Sequence, residues 1–165
     1  MFPEIPDVLQ RIDALCAHRG DVLLVCEREL YTMTDFANRY TKEPVRFVVG
    51  LSLVIRAFED RYSKLDGHFL SALSRLFAQN VRIYVYPMTA EDLRESIQGF
   101  STLDWGLSET NGWVSSHQLH PAPPLGHLYA YLLASNFLVP IEHMSNPRLS
   151  PGPRRNTAVL SVRHI

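Results

Sequence analysis

Apolar residues recur along the chain in two rhythms, a helical spacing and short unbroken runs, and the two alternate. Over 7–18, Val8, Leu9, Ile12, Leu15 and Cys16 fall on one helical face. Gly20 ends that helix, and Val22-Leu23-Leu24-Val25-Cys26 reads as a strand buried on both faces. A second helix carries Leu30, Met33, Phe36, Ala37 and Tyr40, and it stops near Pro44 because proline disfavours helical geometry in the residue before it. A second strand over 45–49 is closed by Gly50. Leu53, Val54, Ala57 and Phe58 mark one helix, and Phe69, Leu70, Leu73, Leu76 and Phe77 mark another, with Asp66-Gly67 breaking the path between them. The run over 81–86, β-branched and aromatic, is a third strand ended by Pro87.

Strand, helix, strand, helix pair, strand is a βαβαβ order. Short parallel strands joined by helical crossovers satisfy it most simply, so the pattern predicts an α/β fold. The expectation is a Rossmann-like, three-layer domain with a sheet of about three parallel strands. After the third strand the signal weakens. Thr89-Ala90-Glu91-Asp92 resembles a capping box and opens a short helix to about residue 98. Residues 100–124 hold Trp105, Trp113 and little periodicity, and read as a long loop or insertion. Leu125, Leu128, Tyr129, Leu132 and Leu133 form a last amphipathic helix. Residues 1–141 are thus expected to make a single domain, and 142–165 a flexible, basic, proline-rich tail.

Composition adds limits rather than an identity. With 165 residues, 46% of them hydrophobic and 20% charged, the chain has the make-up of one globular domain. A formal net charge of −1 gives no global field to recruit nucleic acid or an anionic membrane. Cys16 and Cys26, the two cysteines, sit in apolar surroundings and read as buried free thiols. The N-terminus has no basic region followed by an apolar run, and no stretch reaches the roughly 18–20 apolar residues that span a bilayer. The expected location is the cytoplasm.

Ligands of open parallel sheets bind beyond the carboxyl ends of the strands, at helix N-termini. Glu27, Ser52 and Thr89 stand at those positions. Ser52 and Thr89 could hold a phosphate or carboxylate there, and simple N-capping is the plain alternative. Asp60, Arg61, Tyr62, Asp66 and His68 form the densest polar cluster. Asp66 and His68 are the candidate catalytic pair, His68 as general acid or base oriented by Asp66, against a helix cap by Asp66 and a solvated His68. His117, His120 and His127 have a spacing seen in metal sites but lack an accompanying cysteine or carboxylate, so no metal is assigned. The chain carries no glycine-rich dinucleotide fingerprint after the first strand, no Walker-type loop and no nucleophile elbow.

Several strings together resemble a bacterial protein family. They are Arg39-Tyr40-Thr41, Leu65-Asp66-Gly67-His68-Phe69-Leu70, Arg75-Leu76-Phe77 with Asn80, Tyr84-Val85-Tyr86-Pro87, and His127-Leu128-Tyr129-Ala130-Tyr131-Leu132-Leu133. The resemblance spans about residues 8–141 apart from the loop. Members carry two labels, nicotinamide or nicotinate mononucleotide adenylyltransferase and TonB-dependent receptor. The second is physically implausible for this chain, because an outer-membrane barrel needs many strands of alternating polarity. The first implies a nucleotidyltransferase-like domain that binds a nucleotide, with Mg²⁺, or another phosphorylated small molecule. On that resemblance Glu27, Ser52, Arg75 and Thr89 are the ligand-binding residues, with a salt bridge the alternative role for Arg75.

The chain departs from the family at its start, at the insertion over about 95–122, and after Ile141. Both phosphate-supporting elements are therefore expected to be missing, leaving a truncated domain inactive alone. A non-catalytic interaction module, as a homo-oligomer or a partner subunit, is the alternative expectation.

Overall fold

The computed structural model describes residues 5–17, 27, 29–59, 62–141 and 159–160. In chain order the elements are α1 (Ile5–Cys16), α2 (Leu30–Ala37), β1 (Val45–Gly50), α3 (Leu51–Ala57), α4 (His68–Phe77), β2 (Val81–Tyr86) and β3 (Met88–Thr89). They continue with α5 (Ala90–Ile97), β4 (Trp105–Leu107), β5 (Trp113–Val114), a 3-10 turn (Ser116–Gln118), β6 (Leu119–Pro121), α6 (Leu125–Ala134), β7 (Leu138–Pro140) and β8 (Val159–Leu160). The expected strand over 22–26, with Cys26, lies outside the described residues, as do Asp60, Arg61 and most of the tail.

The main sheet has the order β7-β2-β1-β8. β1 and β2 run parallel in full register from Val45↔Val81 to Gly50↔Tyr86, and β7 adds a third parallel strand through Ile83↔Leu138, Tyr84↔Val139 and Val85↔Pro140. A mixed α/β fold with a three-stranded parallel sheet is therefore present. Its third strand is not an element that the sequence pattern yields. It follows α6, where Asn136 takes a left-handed φ of 57° and the Phe137 N–H turns back to the Leu132 carbonyl. At the other edge β8 pairs antiparallel with β1 through Phe47↔Leu160 and Val48↔Val159, an element not expected within the tail.

Val45, Phe47 and Val49 of β1, Val81, Ile83 and Val85 of β2, and Leu138 of β7 point into one hydrophobic core. Leu30 and Met33 of α2, Leu51, Val54 and Ile55 of α3, Leu73 and Leu76 of α4, Leu93 of α5, and Leu132 of α6 fill that core from the helices. The intervening residues Arg46, Val48, Arg82, Tyr84 and Val139 face the other way, and none of them is buried. The sheet thus alternates between a buried and a wetted face. Among the described residues no further layer buries Val48 on the second face.

Residues 100–124 are folded rather than a bare loop. β4 and β6 form an antiparallel ribbon from Trp105↔Pro121 to Leu107↔Leu119, and β3 pairs with β5. Between them Asn111 and Gly112 both have left-handed φ, 53° and 76°, and Thr110 and Trp113 exchange two backbone hydrogen bonds across them. Two successive left-handed residues give the turn whose twist matches a hairpin, and Asn-Gly is its preferred sequence.

Candidate functional site

The carboxyl ends of β1 and β2 are where the sequence places a phosphorylated ligand; the start of α5 there is satisfied from within, whereas α3 has no side-chain cap. Gly50 leads straight into α3, and a Cβ on it would lie 3.0 Å from the Tyr86 hydroxyl, so the Tyr86 ring fills the space beside the turn. Ser52 is buried with 0% exposure, beyond reach of a ligand at the surface. Thr89 caps α5 by accepting a hydrogen bond from the Asp92 N–H at 3.1 Å, while the Ala90 N–H donates to the Gly112 carbonyl. Glu91 and Asp92 occupy the first turn of α5, a negative environment for an incoming anion. At α2 the Leu30 N–H donates to the Tyr62 hydroxyl at 2.7 Å. Glu27 is exposed just before that helix, and the Glu29 N–H lies 3.5 Å from its Oε1. Capping is the role the geometry gives Thr89. Thr89→Ala is expected to cost about 1 kcal/mol of stability, measurable by urea denaturation.

Arg75 stands apart from this edge. It lies in the last turn of α4, near the start of β2, and binds Asp35 of α2 at 2.8 Å with its guanidinium 5.6 Å from the Tyr31 ring centroid. Gln79 donates to the other Asp35 oxygen at 3.3 Å. The salt-bridge alternative is the one realised, and Arg75 is not brought together with Ser52 and Thr89.

The proposed pair of Asp66 and His68 is not assembled either. Gly67 and His68 both adopt left-handed φ, 84° and 50°, at the entry to α4. The Ser71 hydroxyl donates to the Asp66 backbone carbonyl at 2.5 Å, and no side chain caps the helix, so the expected cap by the Asp66 carboxylate is absent as well. Both residues are exposed, and no hydrogen bond joins their side chains among the described residues. Cys16 is likewise exposed, contrary to the expectation of a buried thiol. His120 Nε2 lies 3.1 Å from the Ser108 hydroxyl, and no group of three His, Cys, Asp or Glu side chains converges among the described residues.

Two features were not read from the sequence. One is interior. Phe58, Trp105 and Tyr129 meet edge to face, with centroids 5.6–5.9 Å apart, and Phe69 lies 6.0 Å from Phe58. The Tyr129 hydroxyl donates to the Ser116 carbonyl at 2.7 Å, whereas the Trp105 indole N–H and the Ser116 hydroxyl are buried without partners among the described residues. A buried hydroxyl with no partner contributes nothing that Ala would lose. Ser116→Ala is therefore expected to leave the melting temperature unchanged or to raise it slightly. Burial pushes the phenols of Tyr62 and Tyr129 well above their ordinary value of 10.0. An acid whose folded value is raised contributes stability that is intact below the unfolded value of about 10 and falls away as pH climbs past it. Melts between about pH 8 and 11 should show that decline, less steep in Tyr129→Phe.

The other feature is the wetted sheet face. Arg46 and Arg82 are direct register partners, and one step further along the strands Val48 stands beside Tyr84, with Val139 next to it on β7. Val48 is 42% exposed although it is central in a parallel strand. Parallel sheets are almost always covered on both faces, because helical crossovers lie on them and their strands are apolar throughout. An apolar side chain left in water at mid-strand is therefore a gap in a layer, unlike a single exposed apolar residue on a helix. Compared with family models, with curated proteins and with solved structures, the chain matches none.

Proposed function

We propose that this chain is a Rossmann-like α/β interaction module whose wetted sheet face docks against a second protein layer. The observation that carries this reading is the exposed middle of the parallel sheet, Val48 with Tyr84 and Val139 beside it. The Rossmann-like part of the reading draws support from the strand order. β1, β2 and β7 follow one another in sequence and lie side by side in parallel, with helices in each connection, as in one half of a doubly wound sheet.

The nucleotidyltransferase-like alternative needs phosphate donors at the strand ends. There Ser52 is buried, the start of α5 is capped by Thr89 and carries Glu91 and Asp92 in its first turn, and Arg75 is paired with Asp35 elsewhere. The interaction reading therefore stands first.

The test is binding of an apolar fluorescent dye to the folded chain, compared with a Val48→Ser/Tyr84→Ser double variant, alongside size-exclusion chromatography. Dye bound under native conditions and lost in the double variant is the expected result. A stable monomer that binds no dye would sink the proposal. Thermal melts with ATP, Mg²⁺ and mononucleotides complete the experiment, since a ligand at about 100 times its Kd adds about 2.7 kcal/mol to stability. Stabilisation of that order by a nucleotide would return the strand ends to first place.

A further inference from the structure

We infer that Arg46 and Arg82 are the anchor of this docking face, and that the layer it accepts is an acidic amphipathic helix. The inference rests on the docking reading above and specifies the partner's chemistry.

Two guanidiniums occupy directly paired positions on strands about 4.8 Å apart, an arrangement that like-charge repulsion disfavours. Among the described residues no carboxylate neutralises their charges. Among the described residues the ion pairs of arginine are Arg75–Asp35 and Arg94–Glu109, and neither Arg46 nor Arg82 meets a carboxylate. Arg46 is held in place without being neutralised. Its Nη1 donates to the backbone carbonyls of Val45 at 3.0 Å and Asn80 at 2.9 Å, across to the start of β2. A guanidinium carries five N–H donors, so most of its hydrogen-bonding capacity stays available for an incoming oxygen. A carboxylate set between the two arginines relieves their repulsion and gains charge-assisted hydrogen bonds.

The neighbouring step fixes the rest of the partner. Moving two residues along the strands, about 6.6 Å, leads from the arginine pair to Val48 and Tyr84. A helix lying along the strands places residues i and i+4 about 6 Å apart on one face. Glu or Asp at one position and Leu, Ile or Val four residues on therefore meet the arginines and the apolar pair together. Helices are also the elements that cover parallel sheets.

Fluorescence anisotropy of the full chain with two synthetic labelled helical peptides tests this. One peptide carries Glu and Leu at repeated i, i+4 positions, and the other has Gln for every Glu. The Glu peptide should bind about tenfold more tightly than the Gln peptide. Arg46→Gln and Arg82→Gln should each remove that advantage, with Arg94→Gln as the unaffected control. Because it relieves a like-charge neighbour, Arg82→Gln should also melt at or above the parent temperature, which keeps a binding loss distinct from unfolding. Equal binding of both peptides overturns the anchor while leaving the docking face intact. Binding of neither peptide to a dye-binding chain overturns the acidic helix as partner. Inorganic phosphate that binds at the arginines while neither peptide does would assign the pair to a phosphorylated ligand and equally overturn the inference.

Discussion

Glu59→Ala should cost about 2–3 kcal/mol and lower the melting temperature by about 5–10 °C. Glu59 follows α3 and is 3% exposed, and both of its carboxylate oxygens are engaged. Oε1 accepts from the Ser101 hydroxyl at 2.6 Å and the Thr102 N–H at 3.2 Å, and Oε2 accepts from the Thr102 hydroxyl at 2.9 Å. The side chain ties the end of α3 to the segment that leaves α5. Alanine removes every acceptor at once, and the Thr102 N–H loses its partner while the two hydroxyls can turn toward water. That escape keeps the cost below the range for breaking a fully buried charge pair. Glu59→Gln is the sharper variant. It keeps one oxygen but sets an amide NH2 against the donors, so it should lose more than half of what Ala loses. Calorimetric melts of the two variants decide the matter, and an unchanged melting temperature in both would remove Glu59 from any structural role.

Glu59 also illustrates what the sequence cannot disclose. Its partners lie 42 and 43 residues away, and no local spacing announces a carboxylate that will be buried by a distant turn. Elements with a strong local rhythm were legible. The helices over 51–57, 68–77 and 125–134 and the strands over 45–50 and 81–86 follow from apolar periodicity, because each buries a continuous row against the sheet or its helices. The ribbon within 100–124 escaped because its strands are two or three residues long, too short for any period to emerge. Its turn was nonetheless written in the chain. Thr110-Asn111-Gly112-Trp113 carries the Asn-Gly dipeptide that favours a two-residue hairpin turn. The strand over 138–140 has the same lesson, a short apolar run placed just after Asn136 stops the helix.

The site was less legible than the fold, for a physical reason. Ser52, Thr89 and Arg75 are residue types that bind phosphate, yet each type has an ordinary structural use: burial at a helix start, a cap and an ion pair. Those uses prevailed because the required partners were near: Asp92 three residues from Thr89, and Asp35 on the helix packed against α4. Asp66 and His68 are close in sequence but separated by a left-handed turn, so proximity along the chain did not become proximity of side chains. The wetted face, although not read from the sequence, has a signal there as alternation. Val45-Arg46-Phe47-Val48 and Val81-Arg82-Ile83-Tyr84 each place an arginine between apolar residues, at odds with a parallel strand covered on both faces.

Phe58→Ala should have the largest effect of any single substitution at this interior site, about 3–5 kcal/mol, and should lower the melting temperature by about 10–15 °C. The Phe58 ring is 2% exposed and meets Trp105 at 83°, Tyr129 at 64° and Phe69 at 32°. Those contacts join the end of α3 to α4, β4 and α6, so truncation loses packing in four elements together and leaves a cavity that rigid rings cannot collapse into. Phe58→Leu keeps most of the volume and should cost well under half as much. Near-ultraviolet circular dichroism reports on the same ring contacts, because Trp105 loses one of its two edge-to-face neighbours, keeping Tyr129, and its signal should weaken before the protein melts. Combining Phe58→Ala with Glu59→Ala tests how the segment is held. Both side chains fasten the end of α3 to the stretch over 101–105, so once one tether is cut the other secures a segment that is already loosened. The double variant should accordingly lose about 1 kcal/mol less than the sum of the two single losses. Strict additivity would show instead that the carboxylate and the ring hold the segment independently.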